Sequence, residues 1–172
     1  MRIAFTMAPG KGETDQLLAG LASELARQGL KICGTIQRNN DRASGPCDMD
    51  LYVLPGGPTL RVSQDLGAAS KGCRLDPNAL ETAVGLAEAR LEPDVDLLII
   101  NKFGKHEAEG RGFRTIIAAA LELGIPVLVG VNAINLTAFR EFVGAEAQQI
   151  FPTDAALRQW CQEVLRMGKQ VA

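Results

Sequence analysis

The chain has 172 residues, of which 47% are hydrophobic and 5% aromatic, and its formal net charge is −2 at pH 7. This length suits one domain with a substantial core, residues 1–172, and the composition favours an α/β fold. The small charge excludes a global attraction to nucleic acid or membranes, and no apolar run reaches the roughly 18 residues of a membrane span. Pro9, Gly10 and Lys11 interrupt any signal-peptide pattern, so we expect a cytoplasmic location.

The first half of the chain predicts two strands, a helix and a hairpin, from the spacing of apolar residues and from turn-forming residues. In chain order these are a strand at 2–7, a helix at 14–28, a strand at 30–37, a polar loop at 38–46, and a hairpin whose strands, 48–54 and 59–65, flank Pro55-Gly56-Gly57-Pro58. Continuous apolar runs with no alternation indicate strands that are buried on both faces.

The second half predicts alternating helices and strands. In chain order these are a helix capped by Asp76 with Pro77 at its first position, a central strand at 95–100, a loop at 101–112, a helix at 113–123, a central strand at 126–131, a short helix near 136–143, an edge strand at 147–151 and a last helix at 154–167. This alternation predicts a mostly parallel sheet with helices on both faces and one inserted β-hairpin.

In a sheet of this kind, ligands bind beyond the carboxyl ends of the strands. Four stretches occupy such positions, namely 7–14, 37–38, 101–111 and 132–135. Polar residues in these stretches are therefore the first candidates for a functional site.

The first stretch, MAPGKGET, is similar to a phosphate-binding loop, whose pattern GxxxxGK[ST] ends in a lysine and a hydroxyl residue. Here the final residues are Gly12, Glu13 and Thr14, so a carboxylate stands where the lysine is required. The following helix would direct free N–H groups towards an anion, but Glu13 would repel it by roughly 1 kcal/mol in water at about 4 Å. Lys11 is a candidate compensating charge. Alternatively, Glu13 and Asp15 only satisfy the helix dipole.

The central strand at 95–100 ends in Asn101-Lys102, where a magnesium-binding P-loop enzyme needs an acidic residue. An amide is a poor magnesium ligand and a lysine cannot be one. Losing both the loop lysine and this acid argues against hydrolysis. The segment NKFGKHEAEGRG instead gathers residues suited to an anion: Lys102, Lys105, His106 and Arg111. A solvated loop of mixed charge is the alternative, and a histidine-rich metal site is excluded because the chain has one histidine.

Two weaker candidates surround the hairpin. Cys47 and Cys73 bracket it and would suit a soft-metal or redox pair if the fold brought them together. The segment 61–74 also offers donors for an oxyanion, namely Ser63, Gln64, Ser70, Lys71 and Arg74. Ordinary turn chemistry explains the same residues equally well.

Six segments together resemble one uncharacterised bacterial family: APGKGETD, CDMDLYVLPGG, RVSQDLG, GCRLDPNALE, INKFGKHEAEGRGF and PVLVGVN. Its members are often encoded beside molybdate-transport genes and sometimes labelled as transporter ATP-binding proteins. The family is remotely similar to small nucleoside-triphosphatases and molybdopterin-guanine dinucleotide adapter proteins, which share the P-loop fold. Those relatives carry a lysine at the place of Glu13 and an acidic pair at the place of Asn101-Lys102, so neither hydrolysis nor magnesium binding is implied for this chain.

The resemblance and the residues together predict a non-hydrolysing, P-loop-like protein that binds a small anion. A nucleotide and a molybdenum-related oxyanion or cofactor are the candidate ligands, and the expected role is regulatory or accessory in molybdenum metabolism, alongside a protein partner of that metabolism. The candidate ligand-binding residues are Gly10, Lys11, Gly12, Thr14, Asn101, Lys102, Lys105, His106, Arg111 and Asn132; no metal ligand is predicted.

Two alternatives stay open from the sequence. The first is a nucleoside-triphosphatase with a rearranged active site, in which Lys11 replaces the missing lysine and Glu107 the missing acid. The second is an interaction module that keeps the fold as a scaffold and binds no ligand.

Overall fold

The computed structural model describes residues 2–40, 47–64, 74–144 and 146–170. Within these ranges seven strands form one sheet in the order β4-β3-β2-β5-β6-β1-β7. The strands are β1 (Ile3–Thr6), β2 (Ile32–Asn40), β3 (Asp48–Leu54), β4 (Thr59–Arg61), β5 (Leu97–Phe103), β6 (Val127–Val131) and β7 (Gln148–Ile150). Five strands are parallel to one another, namely β2, β5, β6, β1 and β7, and the β3–β4 hairpin extends the sheet with β3 antiparallel to β2.

Helices cover both faces of the sheet. They are α1 (Glu13–Arg27), α2 (Pro77–Glu88), α3 (Lys105–Ala108), α4 (Arg114–Glu122), α5 (Leu136–Val143) and α6 (Asp154–Gln170), with a 3₁₀ turn at Ala133–Asn135. Helices α1 and α6 pack on one face around Leu18 and Trp160. Helices α2, α4 and α5 pack on the other around Leu80, Ile116 and Phe139. The predicted α/β class, with helices on both faces and an inserted hairpin, is confirmed.

Several local signals have the predicted outcome. The apolar run of β5 lies at the centre of the sheet, and its residues Leu97 to Ile100 are fully buried. Asp76 caps α2 by accepting hydrogen bonds from the N–H groups of Asn78 and Ala79. No helix in the described ranges combines the length and the apolar character that crossing a membrane requires.

Two predicted loops are in part regular structure. The stretch from Arg38 to Asn40 continues β2, because it pairs with β3 from Asp50 to Asp48 and Asn40 donates a hydrogen bond to Asp50 at 2.6 Å. Residues 41–46 of that predicted loop lie outside the described residues. Likewise β5 continues to Phe103, which is buried with its ring centroid 5.3 Å from that of Phe139. Polar residues therefore extend both strands, and α3 follows within the segment predicted as a loop.

Candidate functional site

The loop between β1 and α1, residues 7–12, is bound by side chains from the first turn of α1. The N–H of Gly10 donates to Oε2 of Glu13 at 2.9 Å, and the N–H of Ala8 donates to Oγ1 of Thr14 at 3.0 Å. Gly12 has φ +78°, a conformation that favours glycine, and helix α1 starts directly after it. The Glu13 carboxylate lies so close to this backbone that a Cβ atom on Gly10 would be 2.2 Å from it. An anionic group of the chain itself thus lies on the loop.

Asp15, in the first turn of α1, is held by three amide side chains. Its Oδ1 accepts a hydrogen bond from Nδ2 of Asn101 at 2.8 Å. Its Oδ2 accepts from Asn39 at 2.8 Å and from Gln37 at 3.3 Å. Asn101, only 2% exposed, also accepts the backbone N–H of Gln37 at 3.0 Å. Asn101 therefore ties β5, β2 and α1 together.

Beside this loop is a depression of about 560 Å³, which we call the crevice. It lies at the carboxyl edge of the sheet, between β2, the hairpin, the start of α2 and the segment around α3. Its apolar lining consists of Met49, Leu51, Val62, Leu75, Leu80, Phe113 and Ile134. Six of the residues predicted as ligand-binding line it, namely Lys11, Asn101, Lys102, Lys105, His106 and Asn132. The other four, Gly10, Gly12, Thr14 and Arg111, are not part of its lining.

The cations around the crevice differ in how far they are already engaged. Lys11 and Lys102 are exposed and have no ion pair with any residue that the structure describes. The Lys105 side chain is 78% exposed and lies 3.6 Å from the carboxylate of Glu109. Arg74 donates to the backbone carbonyl groups of Gln64 and Cys47 at 3.1 and 2.9 Å, so its guanidinium group is already engaged within the chain. Lys11 and Lys102 are therefore the cations best placed to meet an external anion.

Glu107 is 2% exposed, and both of its oxygen atoms face backbone donors. Oε2 accepts the N–H of Gly104 at 2.8 Å, and Oε1 accepts the N–H of Phe113 at 3.3 Å. Burial raises the pKa of Glu107 above its usual range. Gly112, with φ +62°, leaves room for this carboxylate, since a Cβ atom there would lie 2.1 Å from Oε1. Glu107 thus shapes the segment around α3.

His106, Arg111 and Asn132 are also engaged within the chain. Nε2 of His106 lies 2.6 Å from Oε1 of Glu81, and Arg111 pairs with Glu109 at 2.7 Å. Oδ1 of Asn132 accepts the backbone N–H of Asn135 at 3.0 Å and so caps the 3₁₀ turn. These contacts give each residue a structural role beside the predicted ligand role.

Sequence reasoning missed two parts of this site. It did not foresee that Gln37 and Asn39 bind Asp15, because both were assigned to the end of a strand or to a loop. It also missed the apolar wall, although the alternation of Met49, Leu51 and Val53 along β3 places them on one face. Cys47 lines the crevice, whereas its predicted partner Cys73 lies outside the described residues, as do Ser70 and Lys71.

A mostly parallel sheet with this loop between its first strand and first helix is a P-loop NTPase-like fold. Two solved structures share the fold, each with a TM-score of 0.62. One is a human cancer-related nucleoside triphosphatase, which is 16% identical, with 100% of both chains covered. The other is THEP1 from the hyperthermophile Aquifex aeolicus, which is 17% identical, with 97% of this chain and 98% of that chain covered. The chain belongs to the family described as "Protein of unknown function (DUF2478)", which matches residues 3–160.

A curated relative carries a more specific name. The chain is 34% identical over 172 residues to the Molybdenum import ATP-binding protein ModC 2 of Bradyrhizobium diazoefficiens. That match covers 99% of this chain but 19% of the relative. The chain therefore corresponds to about a fifth of that larger protein.

Proposed function

We propose that this chain is a P-loop-like module that binds an anionic ligand in the crevice and does not hydrolyse nucleoside triphosphates. The observation that carries the proposal is the contrast between an acid bound to the loop and two lysines without an ion pair among the described residues. Glu13 already accepts the N–H of Gly10, where a phosphate-binding loop would offer its donors to the ligand. Lys11, from the loop, and Lys102, from β5, both line the crevice.

The residues at the end of β5 are poorly suited to bind magnesium. Asn101 uses its oxygen for the N–H of Gln37 and its amide nitrogen for Asp15. The next residue, Lys102, is a cation and repels a second cation. In P-loop enzymes the ion held near this position neutralises the charge that develops on the transferred phosphate. The residues of this chain would bind an anion there more readily than they would hold magnesium.

The rearranged hydrolase is the competing proposal, with Lys11 and Glu107 as substitutes. Glu107 fits the role of a metal ligand poorly, because both of its oxygen atoms accept backbone hydrogen bonds and burial favours its neutral form. Lys11 precedes Gly12, and its side chain is exposed. It is therefore free to contact an anion, but its side chain is not fixed in one position on the loop.

The expected biological setting is an accessory or regulatory role in molybdenum metabolism, in the cytoplasm. The name of the Bradyrhizobium relative supports the link to molybdenum, and the short share of that relative that matches supports a module joined to, or acting beside, a larger protein. The ligand in this proposal is a nucleotide or a molybdenum-related anion.

Calorimetry and phosphate release test the proposal together. Purified protein is titrated with ATP, molybdate, tungstate and sulfate, and phosphate release from ATP is followed with and without magnesium. We expect binding of at least one anion and no magnesium-dependent release. Magnesium-dependent turnover would establish the hydrolase instead. Absence of heat and of any thermal shift with every nucleotide and oxyanion would favour the interaction module.

A further inference from the structure

The inner surface of the crevice is more apolar than a site for a bare oxyanion requires. Leu51, Val62, Leu80 and Phe113 are buried residues of the main core cluster whose side chains also reach the crevice. Met49, partly buried, extends this surface along β3. Pockets of about 300–1,000 Å³ with mainly apolar walls and a few polar groups are typical of sites for organic molecules. A tetrahedral oxyanion would leave most of this surface in contact with water.

The rim of the crevice carries an exposed aliphatic residue. Ile134, in the 3₁₀ turn after β6, lines the crevice and is 90% exposed. Leaving such a side chain in water is unfavourable by about 25 cal/mol per Å² of apolar surface. A ligand with an apolar body would cover Ile134 as well as the inner surface.

An unpaired polar atom lies in the same surface. Thr35, from β2, lines the crevice and is fully buried, and its Oγ1 has no hydrogen-bond partner in the described part of the chain. A buried hydroxyl without a partner is destabilising, and each such group in a native protein calls for an explanation. A heteroatom in the body of a ligand would provide the missing hydrogen bond.

From these observations we infer that the occupant of the crevice is an organic anion. Its ring or hydrocarbon body contacts Met49 and Leu51 of the inner surface and Ile134 at the rim, and it carries a heteroatom directed at the buried Oγ1 of Thr35. Its acidic group lies at the mouth, beside Lys102 and Lys11. This inference rests on the proposed function, because it specifies the class of anion that the same crevice binds. A free inorganic oxyanion is then a weaker ligand, since it can use the cations but not the apolar wall.

A matched pair of fluorescent probes separates the two contributions. 1-Anilinonaphthalene-8-sulfonate has an aromatic body and a sulfonate group, whereas N-phenyl-1-naphthylamine has the same body without the charge. Both are titrated into wild type, Lys102→Met, Ile134→Gln and the control Leu123→Gln, and sulfate and molybdate serve as competitors. Leu123 suits the control because it is an exposed aliphatic residue, 47% exposed, that does not line the crevice. Near-ultraviolet circular dichroism confirms that each variant keeps its tertiary structure.

We expect the sulfonate probe to bind wild type at one site and at least about tenfold more tightly than the neutral probe, since a charged hydrogen bond is worth about 1.5–3 kcal/mol. It should also bind at least about tenfold more tightly than sulfate, because sulfate has no apolar body to contact the inner surface. Lys102→Met should weaken the sulfonate probe and leave the neutral probe unchanged. Ile134→Gln should weaken both probes, while Leu123→Gln should change neither.

The outcomes distinguish the inference from the proposed function. Sulfate or molybdate binding as tightly as the sulfonate probe, with Lys102 required and Ile134→Gln without effect, would overturn the organic anion and leave the anion site standing. Binding of neither probe, with no binding of an oxyanion or ATP, would remove both. Equal binding of the two probes, independent of Lys102 and with no binding of an oxyanion or ATP, would show an apolar surface without an anion site and would also remove both.

Discussion

The loop before α1 and the crevice beside it lie at the same edge of the sheet, yet their charged groups are engaged to different extents. At the start of α1, Glu13 and Asp15 accept hydrogen bonds from donors of the same chain. Glu107 beside the crevice does the same with backbone donors, whereas Lys11 and Lys102, which line the crevice, have no ion pair with a described residue. The acids at this edge are therefore bound within the chain, and in the proposed function the two lysines meet the ligand.

In the proposed function, this fold binds an anion without the groups needed for hydrolysis. In that proposal, Glu13 takes the place of the lysine, and Asn101 the place of the acid, with which P-loop enzymes hold a triphosphate and its magnesium. The hairpin contributes apolar residues of β3, Met49 and Leu51, to the crevice that Lys11 and Lys102 also line.

The largest expected effect concerns Asn101, which binds Asp15 at the start of α1. Replacing Asn101 by alanine leaves the buried N–H of Gln37 without its acceptor and removes one donor from Asp15. Each loss costs about 1–3 kcal/mol, so we expect the free energy of unfolding to fall by about 3 kcal/mol. Urea unfolding followed by circular dichroism measures it. Asn78→Ala is the control, since Asn78 is exposed at the start of α2, and its effect should stay within about 0.5 kcal/mol. A loss no larger than that of the control would show that Asn101 does not tie β5, β2 and α1 together.

Much of the fold that positions both regions is readable from the sequence. The runs at 95–100 and 126–131 are continuous and apolar, and this pattern identifies central strands without reference to their neighbours. The signals of Asp76-Pro77 and of Pro55 to Pro58 are local, because a cap and a turn depend on a few adjacent residues. The presence of Lys11, Asn101 and Asn132 at one edge follows from the parallel order of the strands.

The missed features depend on partners that are distant in sequence. Asn39 reads as a loop residue on its own, and only its pairing with Met49 and its hydrogen bond to Asp15 place it in the sheet. Glu107 reads as one charge among many, and its burial is decided by the turn that brings the N–H of Phe113 to it. Tertiary contacts of this kind leave no periodic pattern in the sequence.

A second prediction tests the buried acid of the crevice. Glu107→Ala leaves the N–H groups of Gly104 and Phe113 without their acceptor, so we expect a loss of about 2 kcal/mol in the free energy of unfolding at pH 7. Urea unfolding measures it. The exposed neighbour Glu109 provides the control, and Glu109→Ala should change stability little. Stability equal to that of wild type would mean that Glu107 is free for another role, which would strengthen the hydrolase.

The same variant gives a pH dependence of known sign. Burial raises the pKa of Glu107, so the native state binds this proton more tightly than the unfolded state does. Wild type should therefore gain stability relative to Glu107→Ala as the pH falls from 7 towards the ordinary glutamate value of 4.5, and lose that gain as the pH rises again. A difference that does not change with pH would place this carboxyl in a water-like environment.

A third prediction addresses the lysines that line the crevice. Lys102→Ala should weaken binding of molybdate, tungstate, sulfate or ATP by roughly tenfold, because a charge-assisted hydrogen bond is worth about 1.5–3 kcal/mol. Lys105→Ala should weaken it less, since the Lys105 side chain is 78% exposed and lies near the carboxylate of Glu109. The loss should shrink at high salt. Calorimetry measures both, with Arg27→Ala as a control that removes one positive charge at the far end of α1. Equal affinities in all three variants would show that neither lysine binds the anion and would favour the interpretation of this segment as a solvated surface of mixed charge.

The smallest expected effect, and the most direct comparison of the two regions, comes from a charge series at Glu13. Its carboxylate lies on the N–H of Gly10 at the start of α1, where it opposes an incoming phosphate. Glu13→Gln removes this repulsion, and Glu13→Lys adds an attraction, so ATP affinity should rise from wild type to glutamine to lysine. Each step should be on the order of 1 kcal/mol, because the side chain is exposed and the interaction is screened. Magnesium-dependent hydrolysis should stay negligible even with lysine, since Asn101 and Lys102 still cannot hold the ion. Affinity for the sulfonate probe should change less than affinity for ATP, because Glu13 does not line the crevice. Equal ATP affinity across the series would show that phosphates do not enter the loop at all, and an equal rise for both ligands would show that the loop and the crevice are one site.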